Sequence, residues 1–335
     1  MSTVKSGIFC ISLDFELHWG CIENKPVMND DAIRYFSNTR KAIPQMLSLF
    51  HQHEIHVTWA IVGMLFNKNV EEWKSNIPNK IPSYSNNDVS SYDWIQKNGF
   101  KQDDDPYHFA PSIIEKIKST PYQEISTHTY SHYFCLEPFQ TKEEFKADLL
   151  KAIEVASSKG IELTSLVFPR NQFNNEYLSV CKELNITAVR SNPSVWYWSP
   201  AASAGLLTKM FRTGEAYFNL DKRKSIPLKA LVQHALPVQL PASRLYRPWK
   251  PSFKFQNKLK LNRILNEMTV AAQKGEYYHI WWHPHNFGNH PEQCLQELSA
   301  MLNHYQLLKE KYDFQSMNMK EVTEQIALQN HFASK

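Results

Sequence analysis

The chain has 335 residues, 42% of them hydrophobic and 21% charged, with only 9 Gly and 18 Pro. That composition supports a sizeable buried core and excludes disordered, collagen-like and low-complexity chains. Lys and Arg outnumber Asp and Glu by only 37 to 33, an excess too small to announce a nucleic-acid or membrane partner for the whole chain. The five cysteines, Cys10, Cys21, Cys135, Cys181 and Cys294, are odd in number and form no CxxC pair, so they read as reduced thiols. No run of about 18 apolar residues suggests a membrane span. The short apolar stretch near the N-terminus runs straight into Asp14, unlike a processed leader. A cytoplasmic enzyme or binding protein is expected.

In chain order, short apolar runs alternate with segments of helical period, the pattern of βα units in a parallel sheet or barrel. GIFCISLDF is the first strand. Residues 39–53 fit a helix with Pro44 in its first turn or kinking it, and IHVTWAIVGMLF is a second buried strand. Residues 67–111, rich in Asn, Ser, Pro and Asp, read as an insertion over one rim of a single domain spanning 1–335. EISTH ends a third strand, EEFKADLLKAIEVASSKG is a helix stopped by Gly160, and LTSLVFP is a fourth strand. YLSVCKELN and ITAVRS repeat the unit. Residues 192–262 are irregular. After them RILNEMTVAAQKG regains helical period, YYHIWW is a late strand, residues 291–311 form a long helix and KEVTEQIALQ a last one.

Polar clusters sit where apolar strands end, and in parallel α/β folds catalytic groups collect at those ends. In Asp14-Phe15-Glu16, residues two apart in extended chain share a face. Both carboxylates then converge and must share a proton, a metal or a cation, unless the strand end is simply solvated. In His128-Thr129-Tyr130-Ser131-His132, a helical turn after the strand would put both imidazoles on one face. The pair is a grip for an ion or two packing histidines, and its place after a strand with carboxylates upstream gives the first reading its weight. Two imidazoles and a carboxylate make the ligand set of a catalytic zinc site with a position open for water. His283, held after an aromatic strand and stiffened by Pro284, suits a general acid or a packed histidine.

FCISLDFELHWG, EISTHTYSH and IWWHPHNFG resemble the first, second and last motifs of the polysaccharide deacetylase family, the group with NodB homology, and IHVTWAIVGMLF resembles the strand between the first two. HTYSH matches the family's His-(Ser/Thr)-x-x-His pattern at every fixed position, and the resemblance extends from about residue 8 to 326. It implies a distorted (β/α)7 barrel holding one divalent metal, usually zinc, and hydrolysing N-acetyl groups on sugars. In the family's Asp-Asp motif the first Asp is the base and the second a metal ligand. By similarity Asp14 is the base, while Phe15 takes the second Asp's place and Glu16 becomes the ligand beside His128 and His132. The third motif normally puts Arg before a Pro-aromatic pair, whereas this chain has Phe168-Pro169-Arg170-Asn171-Gln172, in which Arg170 either orients the catalytic carboxylate or is a plain surface Arg. The fourth motif, Asp followed by Trp, has no recognisable counterpart.

With these residues Asp14 takes the proton of the attacking water, and His283, rather than His285, protonates the departing sugar amine. The same residues would serve hydrolysis of a cyclic imide or ureide, and a sugar-binding relative that has lost catalysis is a third reading. Trp281 is a flat platform for a sugar ring or part of the core, and His285 is expected to contact the substrate. The run SRLYRPWKPSFKFQNKLKLNR carries no acid. The run is a solvated face, or its Arg244, Arg247 and Lys250 hold the phosphates of a nucleotide- or lipid-linked N-acetylated sugar, the latter implying peripheral contact with a membrane. Nothing else in the chain supports nucleic acid as a partner.

Overall fold

The computed structural model describes residues 6–333 apart from 26, 194, 199–204, 216–223 and 233–235. Its elements run β1 (Ile8–Phe15), α1 (Asp30–Gln52), β2 (Val57–Ile61), α2 (Val70–Ser75), α3 (Ser91–Asn98), α4 (Pro111–Ser119), β3 (Gln123–Thr127), α5 (Lys142–Ser158), β4 (Ser165–Leu166), α6 (Asn175–Glu183) and β5 (Ala188–Ser191). They continue through α7 (Leu206–Gly214), β6 (Ile226–Pro227), β7 (Val238–Pro241), β8 (Arg244–Leu245), α8 (Lys254–Lys274), β9 (Glu276–Trp282), α9 (Pro291–Tyr312), β10 (Gln315–Ser316) and α10 (Met319–Ala333).

The sheet order is β6-β9-β1-β2-β3-β4-β5-β7, parallel except where β6 meets β9. Closure comes from one broken stave. β7 pairs with β5, the chain kinks at Ala242-Ser243, and β8 pairs with β9. The backbone marks the switch, since Ala242 N–H donates to Ser191 O and Ser243 N–H to His279 O. With β7 and β8 counted as one stave the result is the distorted (β/α)7 barrel.

The alternation of β1 decides what faces the axis. Ile8 and Cys10 pack with Ala60, Val167, Ala188 and Tyr277 inside the barrel, whereas Phe9, Ile11, Leu13 and Phe15 pack outward under the helices. Asp14, in register with the inner set, therefore points inward at the strand's C-terminal end. α1 starts at Asp30, nine residues before the expected boundary at 39, because Asn29 caps it through Ala32 N–H at 3.0 Å and Asp30 and Asp31 face the positive end of its dipole. Pro44 lies inside this helix rather than in its first turn. α5 carries a reciprocal cap between Thr141 and Glu144. Residues 67–111 contain α2 and α3, and from them Trp94, Phe100 and His108 pack around Trp19. All five cysteines are buried and free.

Candidate active site

Asp14 ends the inward row of β1, and Arg190 comes to it from β5. Arg190 Nη1 donates to Asp14 Oδ1 and Nη2 to Oδ2, each at 2.7 Å. The guanidinium also donates to Ser12 Oγ at 3.0 Å and to Asn171 Oδ1 at 3.1 Å, and it lies 4.0 Å from the ring centre of Trp281. Arg190 is 1% exposed, so this is a buried charge whose donors are met by a fixed set of acceptors.

The expected role of Arg170 is thereby corrected. Its guanidinium sits at the rim, paired with Glu23 and, at 2.9 Å, with Glu137, above the ring of Phe134. Left-handed φ values at Arg170 and Asn171 turn the Arg outward and leave Asn171 on Arg190. Sequence reading missed Arg190; its signal was a cation inside the otherwise apolar run ITAVRS, at a place where charge is rarely buried without a partner.

Glu16 follows β1 directly, and His128 and His132 flank the loop after β3. Glu16 Oε1 lies 3.0 Å from His128 Nε2 and 3.2 Å from His132 Nε2. The two histidines do not meet on a helical turn as expected. Thr129 and His132 adopt positive φ, and an irregular loop folds both rings toward one point. His128 Nδ1 donates to Val167 O at 2.7 Å, which leaves the Nε2 lone pair facing Glu16. The ligand atoms of Glu16, His128 and His132 lie within 4.8 Å of one another, as do those of Asp14, Glu16 and His283. Two imidazoles and a carboxylate, one imidazole with its lone pair aimed inward, fit a divalent metal ion.

The electrostatics agree. Burial pushes the Glu16 carboxyl up, but the surrounding histidines, His283 and His132 first, outweigh it and hold Glu16 well below the usual carboxylate range. Burial raises Asp14 too, and Arg190 with His128 reverses the shift to leave it lowered. Both acids are carboxylates at neutral pH. Burial lowers His132 against the pull of Glu16, which favours the neutral, ligating form.

His283 reaches the same centre from the end of β9. Its Nε2 is 3.5 Å from Glu16 Oε1 and 3.8 Å from Asp14 Oδ2, and its side chain is 26% exposed, the most open of the group. His285, expected on the substrate, is instead buried behind Glu16, with Nδ1 3.8 Å from Glu16 Oε2 and Nε2 3.7 Å from Cys21 Sγ. Burial and the neighbouring His283 push it down to about 3. Trp281 is likewise no open platform: it is buried beneath Arg190 and against Trp198. Arg244 does not offer itself to phosphate, because its guanidinium is buried and paired with both oxygens of Glu267, at 2.6 and 2.5 Å. Arg247 donates to Arg212 O at 3.1 Å.

A family model described as polysaccharide deacetylase matches residues 28–189. Over that span, just under half of the chain, the sequence is similar to the polysaccharide deacetylase family. The matched span holds His128 and His132 but stops one residue short of Arg190, so Asp14, Glu16, Arg190 and His283 lie outside it and meet the two histidines through the fold. Two solved structures assigned as polysaccharide deacetylases share that fold. The one from Mycobacterium smegmatis is 12% identical, with 98% of this chain and 93% of that one covered at a TM-score of 0.59. The one from Pseudomonas aeruginosa PAO1 is 10% identical, with 95% and 89% covered at 0.53. Puue allantoinase aligns at 10% identity over 97% of this chain and 91% of its own, TM-score 0.55. No curated protein matches the sequence.

Proposed function

We propose that this chain is a metal-dependent amide hydrolase of the polysaccharide deacetylase kind that removes the N-acetyl group from a sugar. The observation that carries the proposal is the convergence of Glu16, His128 and His132 beside a carboxylate, Asp14, that Arg190 holds charged and oriented. Glu16, His128 and His132 would hold a divalent metal, zinc by the character of the donors, which when bound supplies a Lewis acid and makes a water more acidic.

The chain's own groups do the remaining work. Asp14, ionised and fixed by Arg190, accepts a proton from the attacking water. His283 stands at the open side, 3.8 Å from Asp14 Oδ2, where it can deliver a proton to the departing amine.

The reading extends to a nucleotide- or lipid-linked substrate, a part in glycan or surface-polysaccharide assembly, and a cytoplasmic setting with peripheral membrane contact. With Arg244 committed to Glu267, other cations would have to meet a phosphate. The test is acetate and amine release from a panel of N-acetyl sugars, nucleotide sugars and lipid-linked oligosaccharides, with and without a chelator. Acetate in equal molar amount with free amine, abolished by the chelator, is expected. Ring opening of a cyclic ureide without acetate release would favour imide or ureide hydrolysis, and sugar binding without turnover would identify a non-catalytic relative.

A further inference from the structure

We infer that Asp148, a carboxylate in the helix layer outside the barrel, is a positioning residue for the metal ligands. It would act by shaping the loop that brings His128 and His132 to one point. The inference rests on the reading above that these histidines hold a metal.

The backbone of that loop can be followed group by group, as buried polar backbone requires. Its carbonyls are met from one side, where Gly63 N–H donates to Thr129 O at 2.8 Å and Met64 N–H to Tyr130 O at 2.9 Å. Its amides are met from the other. Tyr130 N–H donates to Asp148 Oδ1 at 2.6 Å, Ser131 N–H to Oδ2 at 3.0 Å, and the Ser131 hydroxyl to the same Oδ2 at 2.5 Å. Thr129 Oγ1 accepts from Tyr133 N–H at 2.7 Å and closes the turn from within.

Only an ionised carboxylate accepts at both oxygens without presenting a proton of its own. Successive amides pointing the same way make a concave seat for an anion. Here the seat is filled by the protein itself, with Asp148 fully buried on α5 between Phe145, Leu149 and Ala152. A carboxylate at such depth is expensive unless every acceptor site is used, and an apolar side chain would pack against α5 more cheaply. The bonds go to the residues between the two histidines and to neither imidazole, so Asp148 governs where the rings stand while touching no ligand atom. Residues supporting metal ligands in this manner change affinity by about 10- to 100-fold when replaced.

The experiment measures zinc affinity of the full-length chain by competition with a chromophoric chelator, and the visible spectrum of the cobalt(II) form. Wild type, Asp148→Asn, Ser131→Ala and His128→Ala are compared, with thermal unfolding of each metal-free protein as the folding control. Asp148→Asn keeps the shape but sets an N–H₂ group against a backbone amide. Its expected effect is at least about a 10-fold loss of zinc affinity and an altered cobalt spectrum in a protein that still unfolds cooperatively. Ser131→Ala removes one of the three bonds and should lose roughly three-fold or more; it decides the question if Asp148→Asn does not fold. Zinc affinity within about three-fold of wild type and an unchanged cobalt spectrum in the folded Asn variant, or in Ser131→Ala where the Asn variant fails, overturn the inference alone. Wild-type protein without zinc affinity, or His128→Ala that retains it, overturns the metal reading and the inference together.

Discussion

The clamp on Asp14 couples stability to chemistry at the scale of single residues. Removing one partner of a buried, hydrogen-bonded ion pair strands the other, at about 3 to 5 kcal/mol. Arg190→Gln is therefore expected to destabilise the protein by that order and to abolish turnover. Arg170→Ala, whose pair is about one-third exposed on each side, should cost at most about 1 kcal/mol and leave turnover within a few-fold. Denaturant midpoints and kcat check both; the opposite ranking would return the orienting role to Arg170. A second expectation concerns proton delivery. His283→Ala should slow an amide with a poor leaving group far more than an activated ester, which needs less protonation. His285, kept neutral by burial, should on replacement slow both substrates alike, and equal selectivity in the two variants would remove the acid role from His283. Asp14, Glu16, His128, His132 and His283 were legible because each lies in a short motif at a strand end. Arg190 was not, because it meets Asp14 across 176 positions of sequence through the register of strands that are not neighbours.

At the scale of elements, the strand ends could be read from apolar runs, but the geometry after them could not. Histidines four positions apart suggest a helix turn only if the backbone is helical, and the left-handed φ at Thr129 and His132 reflects tertiary partners that no local pattern announces. One such partner is Gly63, whose amide supports the loop. A Cβ added there would come within 2.6 Å of Tyr130 Cδ2 and 2.8 Å of Tyr130 Cα, the latter being backbone that moves only with the whole loop. Gly63→Ala is expected to destabilise by about 1 to 3 kcal/mol, the usual range for overpacking, and to weaken metal binding in the same variant. Thermal unfolding and zinc titration would show it. A variant that lost stability without losing metal affinity would mean that the loop absorbs the methyl group without displacing its histidines. The start of α1 carries a similar lesson. The Asn29 cap and the acids after it were visible in MNDDAIRYF, yet the apolar spacing drew the boundary to a later residue.

For the whole molecule, alternation of apolar runs and helical segments was enough to predict a parallel sheet or barrel, because parallel strands buried on both faces read as continuous apolar stretches, and the resemblance to the deacetylase family narrowed this to the barrel. The irregular region was harder, since the closing stave is split into β7 and β8, each too short to show a period. The basic run misled for a related reason: its acids are absent locally but supplied from elsewhere, Glu267 for Arg244 and Arg263, and Glu297 for Lys260. Buried titratable groups likewise set how the whole fold responds to pH.

His279 lies in the barrel interior with Nε2 2.8 Å from Ser12 Oγ and Nδ1 2.9 Å from Tyr277 OH. Burial first, and the charge of Arg190 second, hold it well below the ordinary imidazole value of 6.5. The folded chain therefore leaves His279 unprotonated while the unfolded chain protonates it as pH falls below 6.5. Stability from this group is complete above that value and declines on acidification, by up to about 1.4 kcal/mol per pH unit. Asp148 acts in the opposite sense. Burial raises it to about 6 against the bonds from Ser131 and Tyr130, so the folded state takes up its proton first, and its contribution is complete below pH 3.8 and declines as pH rises through about 6. Around pH 4 to 6 the two slopes oppose one another, and removing one should expose the other. In metal-free protein, His279→Gln should make the urea midpoint less sensitive to acid over this range, and Asp148→Asn should make it more sensitive. Parallel midpoint-against-pH curves for wild type and His279→Gln would show that the buried imidazole already carries its proton in the folded state.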